Sequence, residues 1–160
     1  MKLTETDFNF AARIASAALL TATDKNGLVN TMTVSWGGSG ILWGKEVCFV
    51  FVRPERYTFE FCENGEYMSL SFFGKERQDT YSLCGTKSGR DVDKFEACGL
   101  KYRLEDKACV FEDAEITVIL KKLYAQDLRQ DCFFTDSCKS FYQNGGYHKM
   151  YICEIKDIIY

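Results

Sequence analysis

Asn30-Thr31-Met32-Thr33-Val34-Ser35-Trp36 is the stretch on which the fold prediction depends, and it reads as a β-strand. Threonine, valine and tryptophan favour extended backbone, and successive side chains of a strand point to opposite faces. One face therefore carries the hydroxyls of Thr31, Thr33 and Ser35. The other face carries Asn30, Met32, Val34 and Trp36. Glycine-rich Gly37-Gly38-Ser39-Gly40 follows, where a backbone can approach a ligand closely. The pattern suits a flat heteroaromatic ligand with polar edges, or an ordinary edge strand whose hydroxyls face water.

This strand is predicted to be the second half of a hairpin. Residues 18–23 form a short apolar strand, and Asp24-Lys25-Asn26-Gly27 contains the Asn-Gly pair that favours a tight turn. The strand at residues 28–36 therefore pairs antiparallel with the one before it. Residues 37–45, which include Trp43, are predicted to form a loop.

Further strands and short helices follow along the chain. The apolar run Glu46-Val47-Cys48-Phe49-Val50-Phe51-Val52 predicts a strand buried on both faces, and Pro54 suits the first turn of a helix. A terminal strand over residues 149–160 has four inward candidates: Met150, Ile152, Ile155 and Ile158. Six to eight sequential strands with three or four short helices favour an antiparallel sheet closed into a barrel. The prediction is an all-β dominated fold in a single domain over residues 1–160.

Composition excludes several classes of function. The 160 residues carry a net charge of -3, so no basic field favours nucleic acid. No apolar run reaches the roughly 20 residues that span a bilayer. The single histidine, His148, leaves little room for a multi-histidine metal site. Eight cysteines lack Cys-x-x-Cys spacing, and the start resembles no export signal, so we expect reduced thiols in a cytoplasmic protein.

Two basic turns are candidates for binding a phosphate. Arg53-Pro54-Glu55-Arg56-Tyr57-Thr58 places two guanidiniums and two hydroxyls where a helix begins, and free amides at a helix start favour an anion. Lys87-Ser88-Gly89-Arg90 is the second such turn. Each turn alone is also compatible with a solvated basic surface. Together with the opening strand they favour a phosphorylated heteroaromatic ligand. No paired carboxylates stand out, so reactivity is expected to reside in a cofactor.

Four motifs, in the same order along the chain, resemble the flavin reductase-like, FMN-binding split-barrel family and its flavoredoxin-type members. They are the opening strand with Gly37, the Arg53 to Thr58 turn, Ser69-Leu70-Ser71-Phe72-Phe73, and Cys84-Gly85-Thr86-Lys87-Ser88-Gly89-Arg90-Asp91-Val92-Asp93-Lys94-Phe95. The resemblance extends over nearly the whole chain. The stretch between Tyr124 and Tyr147 is more compact than in larger members of the family.

The resemblance implies a homodimeric split β-barrel that holds one FMN per subunit near the dimer interface. It places Asn30, Met32, Thr33, Ser35 and Trp36 along the ring and ribityl chain. It assigns the phosphate to Arg53, Arg56, Tyr57 and Thr58, helped by Lys87 and Ser88. Gln126 and His148 match positions near the flavin in similar proteins. Thr33 or Ser35 is expected to donate a hydrogen bond near N5, with no catalytic acid or base required.

Three functions remain open from the sequence. The chain is an FMN-dependent oxidoreductase that uses NAD(P)H, an electron-transfer flavoprotein that takes electrons from a redox protein, or a non-catalytic FMN-binding protein. The absence of a dinucleotide fingerprint does not discriminate among them, because similar split-barrel enzymes do not need one.

Overall fold

The computed structural model describes residue 2 and residues 5–160. Nine strands and five α-helices follow one another along this part of the chain. The strands are β1 (Ala18–Thr23), β2 (Val29–Val34), β3 (Gly37–Leu42), β4 (Lys45–Val52), β5 (Tyr67–Phe72), β6 (Tyr102–Glu105), β7 (Ala108–Phe111), β8 (Ile116–Asp127) and β9 (Lys149–Ile159). The helices are α1 (Phe10–Ser16), α2 (Tyr57–Asn64), α3 (Gln78–Thr86), α4 (Lys94–Ala97) and α5 (Asp136–Lys139).

Seven strands form one antiparallel sheet in the order β2-β1-β5-β8-β9-β4-β3. Strands β2 and β3 lie at opposite edges of this order, yet only Ser35 and Trp36 separate them along the chain. The two edges therefore meet at these residues. Met32 of β2 and Val50 of β4 belong to the same buried core, as expected when a sheet rolls up on itself. The predicted all-β dominated, antiparallel fold class is confirmed.

The predicted hairpin between β1 and β2 is also present. The Asp24 carboxylate accepts hydrogen bonds from the backbone amides of Asn26 (2.8 Å) and Leu28 (2.9 Å). Gly27 has φ = +84°, a left-handed conformation that glycine adopts without a steric penalty. Local turn chemistry therefore sets the register that carries β2 towards Ser35.

The prediction of a loop at residues 37–45 is wrong, because most of this segment is strand β3, paired with β4. Glycine is a weak strand former, but pairing with β4 outweighs that preference here. A Cβ at Gly38 would collide with the ring of Phe49, so glycine is needed for this close approach. Trp43 and Gly44, at φ of 52° and 69°, make the turn into β4.

Two predictions about burial need correction. The apolar run of β4 is a strand with Cys48, Val50 and Val52 buried on one face, but on its other face Val47 alone is buried, and Phe49 and Phe51 are partly exposed. In the first half of β9, Tyr151 and Cys153 face inward instead of the predicted Met150 and Ile152.

The prediction for the second half of β9 is confirmed, since Ile155 and Ile158 are buried. Leu120 pairs with Ile155, but its neighbour in β8, Ile119, pairs with Asp157, so the register shifts by one residue at Lys156. This shift changes which residues of β9 point towards the core. A strict period of two cannot reveal such a bulge.

Candidate functional site

A small cavity of about 140 Å³ lies where α2 begins and the α3–α4 connection passes. Its walls come from both predicted basic turns and from α4: Glu55, Arg56, Tyr57, Thr58, Thr86, Lys87, Ser88, Gly89 and Lys94. Three cationic side chains outnumber a single carboxylate, and backbone amides at the start of α2 add further donors. Such a set favours an anion of the size and charge of a phosphate.

A second cavity, of about 310 Å³, adjoins the first. Its walls combine apolar and aromatic side chains with hydroxyls and guanidiniums: Met32, Thr33, Val34, Ser35, Trp36, Phe51, Arg53, Arg56, Phe141 and His148. Arg56 lines both cavities, so one guanidinium marks the boundary between an anion-binding space and a larger space with both aromatic and polar walls. A flat ring linked to a phosphate fits this arrangement, with its phosphate in the small cavity and its ring in the larger one.

Arg56 is held in place by backbone carbonyls. Its Nη1 donates to the carbonyl of Gly85 (2.9 Å), and its Nη2 donates to the carbonyl of Cys84 (3.2 Å). Both carbonyls lie near the C-terminus of α3. Burial lowers the pKa of this half-buried guanidinium below its usual value, although it stays charged at neutral pH. The side chain therefore arrives at the cavity in a fixed orientation.

Lys94 is the site residue that the sequence prediction missed. It is only 2% exposed, and its Nζ donates to the carbonyls of Thr31 (2.7 Å) and Cys84 (3.1 Å). Burial lowers its pKa to about 8; the neighbouring Cys84 opposes the shift, and Arg56 adds to it. Lysine at the first position of a helix usually lies in water, so no local pattern predicts its burial. The one available signal is its proximity in sequence to the Lys87-Ser88 turn.

The hydroxyl row of β2 is largely occupied by bonds within the protein. Thr31 is buried and accepts from the Thr21 hydroxyl (2.9 Å), and the Thr33 hydroxyl donates to the carbonyl of Tyr81 (2.6 Å). For Ser35, which is exposed on the larger cavity, no hydroxyl partner is found in the described part of the chain. Of the two predicted donors near N5, Ser35 is therefore the one whose hydroxyl proton is available.

Asn30 lies behind the small cavity rather than on its wall. Its Nδ2 donates to the Thr58 hydroxyl at 2.8 Å, and both side chains are buried. A Cβ at Gly89 would collide with the Asn30 carboxamide, so glycine is required for this packing. Asn30 thus positions the start of α2 and the Ser88-Gly89 turn.

Arg53 lines the larger cavity but not the smaller one. Its guanidinium donates to the carbonyls of Gly146 and Phe141, each at 3.2 Å, and lies 5.3 Å from the centre of the Tyr142 ring. It therefore holds the segment before β9 against the barrel.

Gln126 lies on exposed β8, where its Oε1 accepts a hydrogen bond from the Tyr124 hydroxyl. It lines neither of the two cavities. The structure therefore brings together every predicted site residue except Asn30 and Gln126.

His148 lies in the larger cavity, 5.0 Å from the ring of Trp36 between ring centres. Its Nδ1 is 2.8 Å from the hydroxyl of Tyr142. Burial, together with the nearby Arg53 guanidinium, lowers the pKa of His148 to about 4, and Glu55 opposes this shift. The imidazole is therefore neutral at physiological pH.

We expect the ring protons of His148 to show no titration between pH 5.5 and 8 in proton NMR. Because this is the only histidine in the chain, its signals are assigned without mutagenesis. The free energy of unfolding should rise as the pH increases from about 4 to 6.5, since the unfolded imidazole binds a proton more tightly in that range. A midpoint near pH 6.5 in the folded protein would contradict the neutral, buried imidazole.

Within residues 2 and 5–160, no group of three or more His, Cys, Asp and Glu side chains is arranged to hold a metal ion. No helix in the same described ranges has the length and apolarity to cross a bilayer.

Comparison with known proteins assigns the family. Residues 11–159 match the family described as the flavin reductase like domain, so the chain belongs to that family. No curated protein sequence matches the chain.

Solved structures with the same fold agree with this assignment. An FMN-binding protein from Thermus thermophilus, with bound 1-cyclohex-2-enone, superposes with a TM-score of 0.69 at 19% identity, over 89% of this chain and 68% of that one. A flavoredoxin from Methanosarcina acetivorans gives a TM-score of 0.68 at 19% identity, over 89% and 67%. A Shewanella frigidimarina protein with a split barrel domain gives 0.70 at 20%, over 89% and 65%. The fold is therefore a split β-barrel of this family.

Proposed function

We propose that this chain binds FMN, with the phosphate in the small cavity and the ring system in the larger one. The observation that carries the proposal is the position of Arg56, whose guanidinium lines both spaces. Family membership and FMN-binding neighbours of the same fold support FMN as the cofactor. The residues fit the group, because cations and hydroxyls surround one cavity and aromatic side chains surround the other.

The individual roles follow from the two cavities. We assign the phosphate to six residues: Arg56, Tyr57, Thr58, Lys87, Ser88 and Lys94. We assign the ring and ribityl chain to five: Met32, Thr33, Ser35, Trp36 and His148. Asn30 supports these groups from behind, whereas Arg53 lines the larger cavity and holds the segment before β9. The contact of Gln126 with the flavin remains a prediction, because Gln126 lines neither cavity.

FMN, when bound, accepts a hydride or single electrons and passes them to an acceptor. The chain's own residues bind and orient this group and hold hydrogen-bond donors beside it. Ser35 supplies an available hydroxyl, and neutral His148 adds no positive charge. No side chain is assigned the role of catalytic acid or base.

The activity that fits best is that of an FMN-dependent oxidoreductase of the flavin reductase type. The flavoredoxin neighbour makes electron transfer from a redox protein the second candidate. Anaerobic titration of the FMN-loaded protein with NADH and NADPH separates the two. Loss of the 450 nm flavin absorbance within seconds supports a nicotinamide-dependent reductase. Reduction of the flavin by a redox protein, but not by NADH or NADPH, supports the second candidate. If neither kind of donor reduces the flavin, both candidates are contradicted.

The protein is further proposed to be a homodimer, because one side of the barrel exposes an apolar surface. This outer apolar face comprises Leu42, Trp43, Phe49, Tyr124 and Ile152. Register places Phe49, Ile152 and Tyr124 directly beside one another on three strands, and Trp43 contacts Tyr124. Leu42 and Trp43 are 37% and 60% exposed. A contiguous apolar surface of this kind indicates a protein contact.

Changing Trp43 to glutamate should convert the dimer to a monomer, because a carboxylate cannot be buried unpaired in an apolar interface. Light scattering after gel filtration should give twice the 18.4 kDa chain mass for the natural protein and that mass once for W43E. Phe134→Glu is the matched control, since Phe134 is fully exposed and lies outside the outer apolar face. A natural protein that is monomeric, or dimers in both variants, would contradict this interface.

Two further proposals concern the chain as a whole. Free thiols at all eight cysteines support a reducing compartment such as the cytoplasm. The main sheet takes strands from Ala18 to Ile159, which supports one domain over residues 1–160.

A further inference from the structure

Two cysteine thiols meet beside the small cavity. Cys84 lies in the last part of α3, and Cys98 directly follows α4 as its C-cap. Both pack in one apolar cluster between the sheet and these helices, and the Cys98 thiol is near enough to add to the effect of burial in raising the pKa of Cys84. Cys84 is fully buried, whereas Cys98 is partly exposed.

The backbone around this thiol pair holds the cations of the small cavity. The carbonyl of Cys84 accepts from both Arg56 Nη2 (3.2 Å) and Lys94 Nζ (3.1 Å). The backbone amide of Cys98 donates to the carbonyl of Lys94 at 3.1 Å. A change in the Cα separation of the two cysteines would therefore act directly on Arg56 and Lys94.

We propose that Cys84 and Cys98 form a redox-active dithiol, whose closure to a disulfide weakens phosphate binding in the adjoining cavity. A disulfide requires its Cα atoms to lie about 4.4–6.8 Å apart with restricted torsion angles. Two cysteines that pack in one cluster and whose backbones both bond to Lys94 need no large rearrangement to reach that geometry. The small movement needed is transmitted to the carbonyl of Cys84, on which two cavity cations depend.

The reaction balances with a peroxide as oxidant. The Cys98 thiolate attacks a peroxide oxygen, so that an S–O bond forms, the O–O bond breaks and hydroxide leaves as water. Cys84 then attacks the Cys98 sulfur, so that the S–S bond forms and the S–O bond breaks. The hydroxide released takes the proton of Cys84. Two thiols lose two electrons in total, and hydrogen peroxide becomes two waters.

Access decides which thiol reacts first. Burial, together with the neighbouring Cys98, raises the pKa of Cys84 to about 12. Cys98 is open to solvent in part, so it is the thiol that meets the oxidant, and Cys84 resolves the product. The Lys94 ammonium and the Arg56 guanidinium favour the Cys84 thiolate when its proton is lost.

The other cysteines lack this combination of contact and access. Cys48 and Cys153 pair directly across β4 and β9, but both are completely buried in the barrel. Cys109 is buried as well, and burial alone raises its pKa. Cys132 and Cys138 are exposed, which makes them the thiols to replace in a control protein.

Peptide mapping of the full chain tests the disulfide directly. Trypsin places Cys84 in residues 78–87, Cys98 in residues 95–101 and Cys109 in residues 108–121. After treatment with hydrogen peroxide and alkylation of free thiols, we expect 78–87 linked to 95–101, and separation of the two by a reductant. The same link should form in a Cys132→Ser/Cys138→Ser protein and be lost in Cys98→Ser. No linked peptide, or a link of Cys84 to another cysteine, would overturn the dithiol.

Binding measurements on the same samples test the effect on the cavity, which depends on the proposed function. The oxidised protein should bind FMN about fivefold more weakly than the reduced protein, the scale of one lost hydrogen bond, with riboflavin affinity unchanged. Equal FMN affinities would overturn the coupling even when the disulfide forms. If the reduced protein binds no FMN, the proposed function fails, whereas the peptide map still decides the dithiol.

Discussion

Replacing Arg56 with alanine is expected to weaken FMN binding by about 2 kcal/mol or more, roughly 30-fold, the scale of a charge-assisted contact. The change removes the one cation that borders both cavities. It also removes the hydrogen bonds that Arg56 donates to the carbonyls of Gly85 and Cys84. Isothermal titration with FMN measures the loss. Riboflavin affinity should change much less, because riboflavin carries no phosphate.

Two further variants make this result specific. Arg56→Lys keeps the charge but cannot donate to both carbonyls in a planar fork, so we expect an intermediate loss. Arg90→Ala is the matched control, because exposed Arg90 pairs with Glu60 over the Tyr57 ring and does not line the small cavity. Equal losses in R56A and R90A would show that general surface charge, rather than the cavity, attracts FMN.

Replacing Lys94 with methionine is expected to weaken FMN binding by about 1.5–3 kcal/mol at pH 7, the range for hydrogen bonds to charged groups. It should also remove a pH dependence. In the natural protein Lys94 loses its proton above pH 8, so FMN affinity should fall as the pH rises beyond that value. The phosphate is already a dianion there, and its second pKa near 6 does not interfere. In K94M the affinity should be weak and nearly constant over the same range.

The stability of the free protein should show the opposite trend. The folded pKa of Lys94 is about 8, below the value of 10.5 for an ordinary lysine. Between these values the unfolded chain binds more protons, so this residue makes the free energy of unfolding rise with pH. Denaturant melts of natural and K94M proteins from pH 7.5 to 10 isolate this contribution, with exposed Lys101→Met as control. Equal slopes in all three proteins would contradict a buried, ionisable Lys94.

Local patterns predict most of this fold because they act over short distances. The Asn-Gly turn and the alternation along β2 are properties of neighbouring residues, and both are present as predicted. Strand β3 and the inward residues of β9 were not predicted correctly, for a different reason. Pairing with β4 and the register shift against β8 depend on residues remote in sequence.

The candidate site divides in the same way. Arg56, Lys87 and Ser88 are predictable, because basic residues at a helix start or in a glycine-containing turn indicate an anion-binding site from neighbouring residues alone. The burial of Lys94 is not predictable, since it depends on β2 and α3 closing over the side chain. For the same reason the sequence does not predict that the hydroxyl of Thr33 donates to the carbonyl of Tyr81 and is therefore not available to a ligand. Tertiary contacts decide which polar groups remain available to a ligand.

A direct comparison of FMN and riboflavin affinities tests the central claim, that the small cavity binds the phosphate of FMN. Flavin fluorescence quenching by the reduced, flavin-free protein at one pH and ionic strength gives both dissociation constants. FMN should bind roughly 30-fold more tightly than riboflavin, and the difference should shrink as salt is added. Equal dissociation constants for the two flavins would contradict the assignment of the phosphate to this cavity.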